Sequence, residues 1–203
     1  MRKKILGTDL KVSAIGLGCM GMNHAYGASA DKTEMINLIA QAVDIVCPVT
    51  AIQNRYSMMA RWHEKLFPVL EELNIGFVAF SPLANGFLSG KYNAQSVFEK
   101  NTDYRSIMPK FQKDSYEKNR EFLAWIQAFA EEKNATVAQI SLAWLVDKKP
   151  YLVPIPGTRK LERLKENAGA SDILLTPEEV KKTDDMLERI PMSEVFGGTK
   201  VTK

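Results

Sequence analysis

The sequence predicts an α/β fold built on parallel strands. Three observations carry that expectation. Short β-branched or aromatic runs alternate along the chain with longer stretches of helical period, the order that places helices between parallel strands. The composition, 45% hydrophobic and 25% charged over 203 residues, supports one sizeable core in a single domain spanning 1–203. Two segments, 77–91 and 153–169, each run from a buried strand into a polar, glycine-containing turn suited to holding phosphate. Periodicity alone leaves a closed barrel and an open doubly wound sheet equally admissible.

Taken in order, residues 3–6 and 11–14 flank Gly7-Thr-Asp9 and read as a hairpin. Residues 15–19 form a brief apolar strand, followed by a turn through Gly21 and Gly27. Asp31, with Glu34 three residues on, reads as a helix start, because its carboxylate can satisfy an orphan backbone donor. Met35, Leu38, Ile39, Ala42 and Val43 then repeat at helical spacing. Residues 49–53 read as a buried strand, Leu66, Val69, Leu70 and Leu73 as a helix, and 75–80 as a strand. Residues 84–117 form a long irregular stretch, of the length that is usually functional or disordered.

Helical period returns over 116–133, and Thr136 caps a second helix over 137–148 that Pro150 ends. A strand at 152–155 and a helix at 160–168 follow. Thr176-Pro-Glu-Glu179 is a strong helix start, with its cap, its proline at the first helical position and its acids in the first turn. The tail after Pro191 reads as loose.

A net charge of +3, with basic residues dispersed, points to neither a nucleic-acid nor a membrane partner. Cys19 and Cys47 have no metal-ligand spacing and form no disulfide framework, which fits a reduced, cytoplasmic setting. No stretch approaches the roughly 20 apolar residues of a membrane span. No metal site is expected.

The segments Phe77-Val-Ala-Phe-Ser-Pro-Leu-Ala-Asn-Gly-Phe-Leu-Ser-Gly-Lys91 and Val153-Pro-Ile-Pro-Gly-Thr158, with the helix that follows the second, closely resemble the cofactor half of the aldo-keto reductases. The resemblance implies a (β/α)8 barrel that binds NADP(H) and reduces aldehydes or ketones to alcohols. It covers the chain in two blocks, 1–44 and about 46–190. The family's second to fifth strands and their helices would fall between Asp44 and Val46, where nothing stands. The expected architecture is therefore an incomplete TIM barrel, a half-barrel of strands one, six, seven and eight. Those strands are neighbours because the eighth pairs with the first in a closed barrel. Such a half-barrel has two open edges and an exposed inner layer, which suggests a homodimer through those edges, poor solubility or a missing remainder.

The same resemblance assigns site residues. Gln53 would hold the nicotinamide carboxamide and Phe80 would stack on its ring, although an isolated Phe there reads equally as core. Ser81, Leu83, Gly86, Ser89 and Lys91 fit the loop over the pyrophosphate, small residues letting backbone approach phosphate. Gly157, Thr158, Arg159, Arg163, Glu166 and Asn167 fit the turn and helix holding the adenosine end. Arg163 would grip the 2′-phosphate and Asn167 the adenine edge; without the preceding Pro-Gly turn the same residues would read as a solvated helix. The family's catalytic Asp, Tyr, Lys and His fall in the absent block, so no catalytic residue is carried over. His24, Tyr26, Tyr56 and His63 read as ordinary surface or core groups, and Trp62, Trp125 and Trp144 as packing. The chain is thus expected to keep mainly the cofactor half of a reductase for small carbonyl substrates and to be inactive as written. The alternatives are a non-catalytic NADP-binding or assembly protein, or an incomplete product of a full-length reductase gene.

Overall fold

The computed structural model describes residues 3–6, 10–13, 31–45 and 49–195. The predicted strand at 15–19, the turn through Gly21 and Gly27, and the residues Cys19, Met20, His24, Tyr26 and Cys47 lie outside them, as does part of the 44–46 junction. The chain divides into two compact units, Met1–Thr50 and Ala51–Lys203.

In the first unit, β1 (Lys3–Leu6) and β2 (Leu10–Ser13) pair antiparallel, Lys3 opposite Ser13 and Leu6 opposite Leu10. Helix α1 (Lys32–Ile45) starts at Asp31, whose Oδ1 accepts from the amides of Thr33 (2.9 Å) and Glu34 (3.0 Å). These are two of the donors that a helix start leaves without partners. Ile36 and Leu38, on this helix, are exposed.

The second unit is a three-stranded parallel sheet, β3 (Ala51–Arg55), β4 (Gly76–Phe80) and β5 (Leu152–Ile155), in the order β3-β4-β5. Helices α2 (Phe67–Glu72), α3 (Lys113–Lys118), α4 (Arg120–Glu132), α5 (Val137–Lys148), α6 (Leu161–Ala168) and α7 (Pro177–Arg189) make up the rest. β3 runs two residues beyond the expected strand, because Asn54 and Arg55 pair with Ala79 and Phe80 of β4. Gln53 therefore sits inside the strand rather than at its end.

Side chains alternate between the sheet's two faces. Phe77 and Leu152, paired across β4 and β5, are buried, with Ile52 of β3 in the same row. Beneath them lie Tyr56, Phe67 and Trp144, with Tyr56 stacked on Trp144 at 5.7 Å. The alternate rows, Gln53-Val78-Val153 and Arg55-Phe80-Ile155, occupy the opposite face, where Val153 is 55% and Ile155 45% exposed. In a closed barrel such a face is the filled interior.

α5 is the hub of the covered side, packing on β5, α4, α6 and α7. It is buried along most of its length, and it begins in a full capping box between Thr136 and Gln139. α7 begins in a second one, Thr176 with Glu179. Trp144 Nε1 donates to Asp184 of α7 (3.0 Å), and Lys148 bridges Asp184 and Glu64. Trp62 and Trp125 are half-buried against the core.

Three further expectations are corrected. The helix over 116–133 is two helices, α3 and α4, that meet at Asn119. The buried Asn119 side chain bonds away from both, to the Ser193 hydroxyl (2.8 Å) and backbone amide (3.0 Å). For the same reason residues 191–195 are not a loose tail: Ser193 and Val195 are buried. The stretch 84–117 is also more ordered than expected, folding into 3-10 turns at Ala84–Ser89, Tyr104–Ile107 and Pro109–Phe111 before α3.

Candidate functional site

β4 and β5 are adjacent and parallel, so the turns leaving their C-terminal ends stand side by side. Between them lies a groove of about 670 Å³. Every sequence-predicted site residue lines it except Gln53 and Phe80. Those two belong to the open face of the sheet, and the Arg55 guanidinium lies 5.0 Å from the Phe80 ring centre.

One wall is the turn that follows β4. Ser81, Ala84 and Asn85 all adopt positive φ, as do Gly86 and Gly90, which coils the backbone tightly. Phe87 and Leu88 point inward and are buried, Phe87 meeting the rings of Phe111 (5.6 Å) and Tyr116 (5.3 Å). The Ser89 hydroxyl closes the turn by donating to the Gly86 carbonyl (2.6 Å). Gly86 combines φ +94° with a close neighbour, since a Cβ there would lie 3.1 Å from Tyr92 Cε2. Only glycine meets both conditions without strain.

Over this wall folds Arg105, a lining residue that sequence reasoning missed together with Asn85, Tyr92 and Tyr104. Its Nε donates to both carboxylate oxygens of Asp103 (2.8 and 3.1 Å), and its guanidinium rests on the rings of Tyr92 (4.8 Å) and Phe98 (4.7 Å). A further nitrogen donates to the Tyr92 hydroxyl. The bonds to Arg105 hold the Asp103 carboxyl below the usual carboxylate range, and those to Asp103 raise the guanidinium further. The available signal was Asp103 two residues before Arg105, a spacing at which the carboxylate also accepts from the Arg105 amide (3.0 Å).

The other wall is Pro156 to α6. The Thr158 hydroxyl accepts from the Lys160 amide (3.1 Å), and no side chain caps the first turn of α6. Arg163 pairs with Glu166 one turn on, and Asn167 follows. A Cβ at Gly157 would meet nothing within 4 Å, so the groove is open at that point.

Lys91, Arg105, Arg159, Lys160 and Arg163 bring five cations to the lining, against the single carboxylate of Glu166. With an uncapped helix start and one close-coiled turn, this donor set suits a phosphate-bearing ligand. Elsewhere, Tyr56 is buried with its hydroxyl on Glu64 (2.5 Å), and burial raises its pKa. Burial lowers that of His63. Neither residue lines the groove. Among the described residues no cluster of His, Cys, Asp or Glu could hold a metal, and no helix is long and apolar enough to cross a membrane.

The sequence profile described as "Aldo/keto reductase family" matches residues 21–188. "Aldo-keto reductase str7" of Strobilurus tenacellus is 38% identical over 156 residues, which is 75% of this chain and 45% of that protein. "Probable aldo-keto reductase 1" of Glycine max is 35% identical over 152 residues, 74% of this chain and 42% of that protein. The chain thus spans less than half the length of these curated relatives. Among solved structures, a glycerol dehydrogenase from Gluconobacter oxydans is similar with a TM-score of 0.67 at 29% identity, over 87% of this chain and 51% of that one. An aldo/keto reductase from Klebsiella pneumoniae, solved with NADP and acetate, has a TM-score of 0.54 at 22% identity, over 83% and 50%, a likeness of fold.

Proposed function

The chain belongs to the aldo/keto reductase family, and from that membership we propose that its groove binds NADP(H) while the chain by itself does not reduce carbonyl compounds. The family fold is a (β/α)8 barrel, and β3, β4 and β5 would correspond to its sixth, seventh and eighth strands. One observation supports the cofactor reading above the others: a cation-lined groove at the C-terminal ends of two adjacent parallel strands. Barrel enzymes build their sites at that end.

In this reading the Ser81, Leu83, Gly86, Ser89 and Lys91 turn and the Gly157-Thr158-Arg159 turn hold the pyrophosphate from two sides. Arg163, kept in place by Glu166, takes the 2′-phosphate, where a guanidinium matches phosphate geometry. Asn167 meets the adenine. Gln53 and Phe80 receive the nicotinamide on the sheet's open face. The bound cofactor would supply a hydride for a small aldehyde or ketone. The chain's own deficit is the proton: no Asp, Tyr, Lys and His set is carried over, and Tyr56, with its pKa raised by burial and Glu64, is a poor donor. The exposed Val153 and Ile155 favour a homodimer through the open face, in a cytoplasmic setting; a strictly monomeric sedimentation profile would remove the dimer.

Calorimetric titration with NADPH and NADH tests the proposal. We expect saturable NADPH binding that Arg163→Ala weakens about tenfold or more, with NADH unaffected, and no carbonyl-dependent oxidation of NADPH. The absence of saturable binding would sink the cofactor reading. Turnover by the pure chain would sink the claim of inactivity.

A further inference from the structure

Lys110 is a fully buried amine that the groove chemistry does not use. It sits on the short turn Pro109–Phe111 at 0% exposure, with no carboxylate in ion-pair reach among the described residues. Burying an ammonium group costs several kcal/mol unless partners replace its water. Burial, with the charge of Arg55 nearby, pulls its pKa down from 10.5 to about 8. Its Nζ donates to Asn85 Oδ1 (2.9 Å) and to the Val195 carbonyl (2.8 Å), with Met108 Sδ at 3.6 Å.

The two oxygen partners belong to different parts of the fold. Asn85 lies at φ +60° in the 3-10 turn Ala84–Ser89, the wall of the groove. Val195 ends the described segment 191–195, which Asn119 also holds through both backbone and side chain of Ser193. An apolar side chain at position 110 would fill the same space with no desolvation cost and would tie these parts together only by contact. The amine gives them a shared donor with directional bonds, so displacing either acceptor leaves a buried N–H without a partner. Such a loss costs the full desolvation of the group.

We infer that Lys110 is a positioning residue that couples segment 191–195 to the groove-forming turn through Asn85, so that docking of the segment and occupation of the groove stabilise each other. The inference rests on the proposed NADP(H) reading only for the identity of the occupant. By linkage, whatever a groove ligand does to the segment, the segment does to the ligand.

Hydrogen exchange on the full chain, read by mass spectrometry, tests this with and without saturating NADPH. Asn85→Gly removes the acceptor while keeping the left-handed backbone. It is expected to speed exchange in 191–195 about fivefold or more, the lower range of such couplings. NADPH is expected to slow exchange in the same segment of the unaltered chain. Lys110→Met is expected to loosen both 84–89 and 191–195, and Lys110→Arg, which keeps donors, to restore part of the protection. Unchanged exchange in 191–195 with Asn85→Gly overturns the coupling. So does unchanged exchange in that segment when NADPH is demonstrably bound. Should NADPH not bind, the cofactor reading falls, and the Asn85→Gly response still decides the coupling. The same response decides it if Lys110→Met fails to fold.

Discussion

The turn after β4 sinks Phe87 and Leu88 into the core and is tied by Ser89 and Lys110, whereas α6, across the same groove, buries no residue. One wall is thus anchored in the core, and the other rests on α5 without sinking a side chain into it. The contrast separates two jobs. Close backbone approach needs a turn whose dihedral angles are imposed from outside, so that wall is rigid. Charge recognition needs cations at the right spacing, and α6, which rests on α5 without burying any residue, presents Arg163, Glu166 and Asn167 half-buried along the groove. Changes on the first wall should therefore cost stability, and changes on the second should cost ligand binding alone.

The strongest way to break this comparison is Phe87→Ala. Phe87 is 2% exposed between two aromatic rings, and its removal is expected to destabilise the protein by about 3–5 kcal/mol in urea unfolding. A loss below 1 kcal/mol would mean that the wall is not anchored through the core.

A pH series sharpens the same point. Lys110 holds its proton less firmly in the fold, at about 8, than in the unfolded chain, near 10.5. Between those values the unfolded state binds more protons, so stability rises with pH across that window, and the burial penalty is in full force below it. The contribution is at most about 3 kcal/mol. Lys110→Met should remove this rise, and an unchanged slope between pH 8 and 10 would contradict the buried-amine assignment.

The smallest effects come from a pair of glycines. Gly86→Ala, at positive φ and 3.1 Å from Tyr92, should cost about 1–2 kcal/mol. Gly157→Ala, with nothing near its Cβ, should stay within about 0.5 kcal/mol. Equal costs in thermal melts would erase the distinction between the walls.

Elements whose boundaries rest on local bonds were legible in the sequence. Thr136 and Thr176 mark α5 and α7 because each cap closes on a residue three positions on. β5 reads from its apolar run between Pro150 and Gly157. Boundaries set from a distance were not legible. The break at Asn119 is made by Ser193, and β3 reaches Arg55 because β4 offers Phe80 as a partner. The groove followed the same rule. Its turns were readable from Gly, Ser and Pro next to strands, but Arg105 joins only because residues 92–105 fold back over Gly86. Lys110 carries a charge that a sequence assigns to solvent, and only the packing of Asn85 and Val195 around it puts it inside.

The parallel pairing of β4 with β5 also sets an order of events during folding. Residues 81–151 lie between the two strands, and the entropy of closing so long a loop must be met before the first ladder bond forms. The α4–α5 pair, joined by a short connection that ends in the capping box of α5, can assemble well before that closure. Because the groove exists only where both strand ends stand together, it is among the last features of the chain to form. A nascent or partly unfolded chain would carry both walls with no site between them.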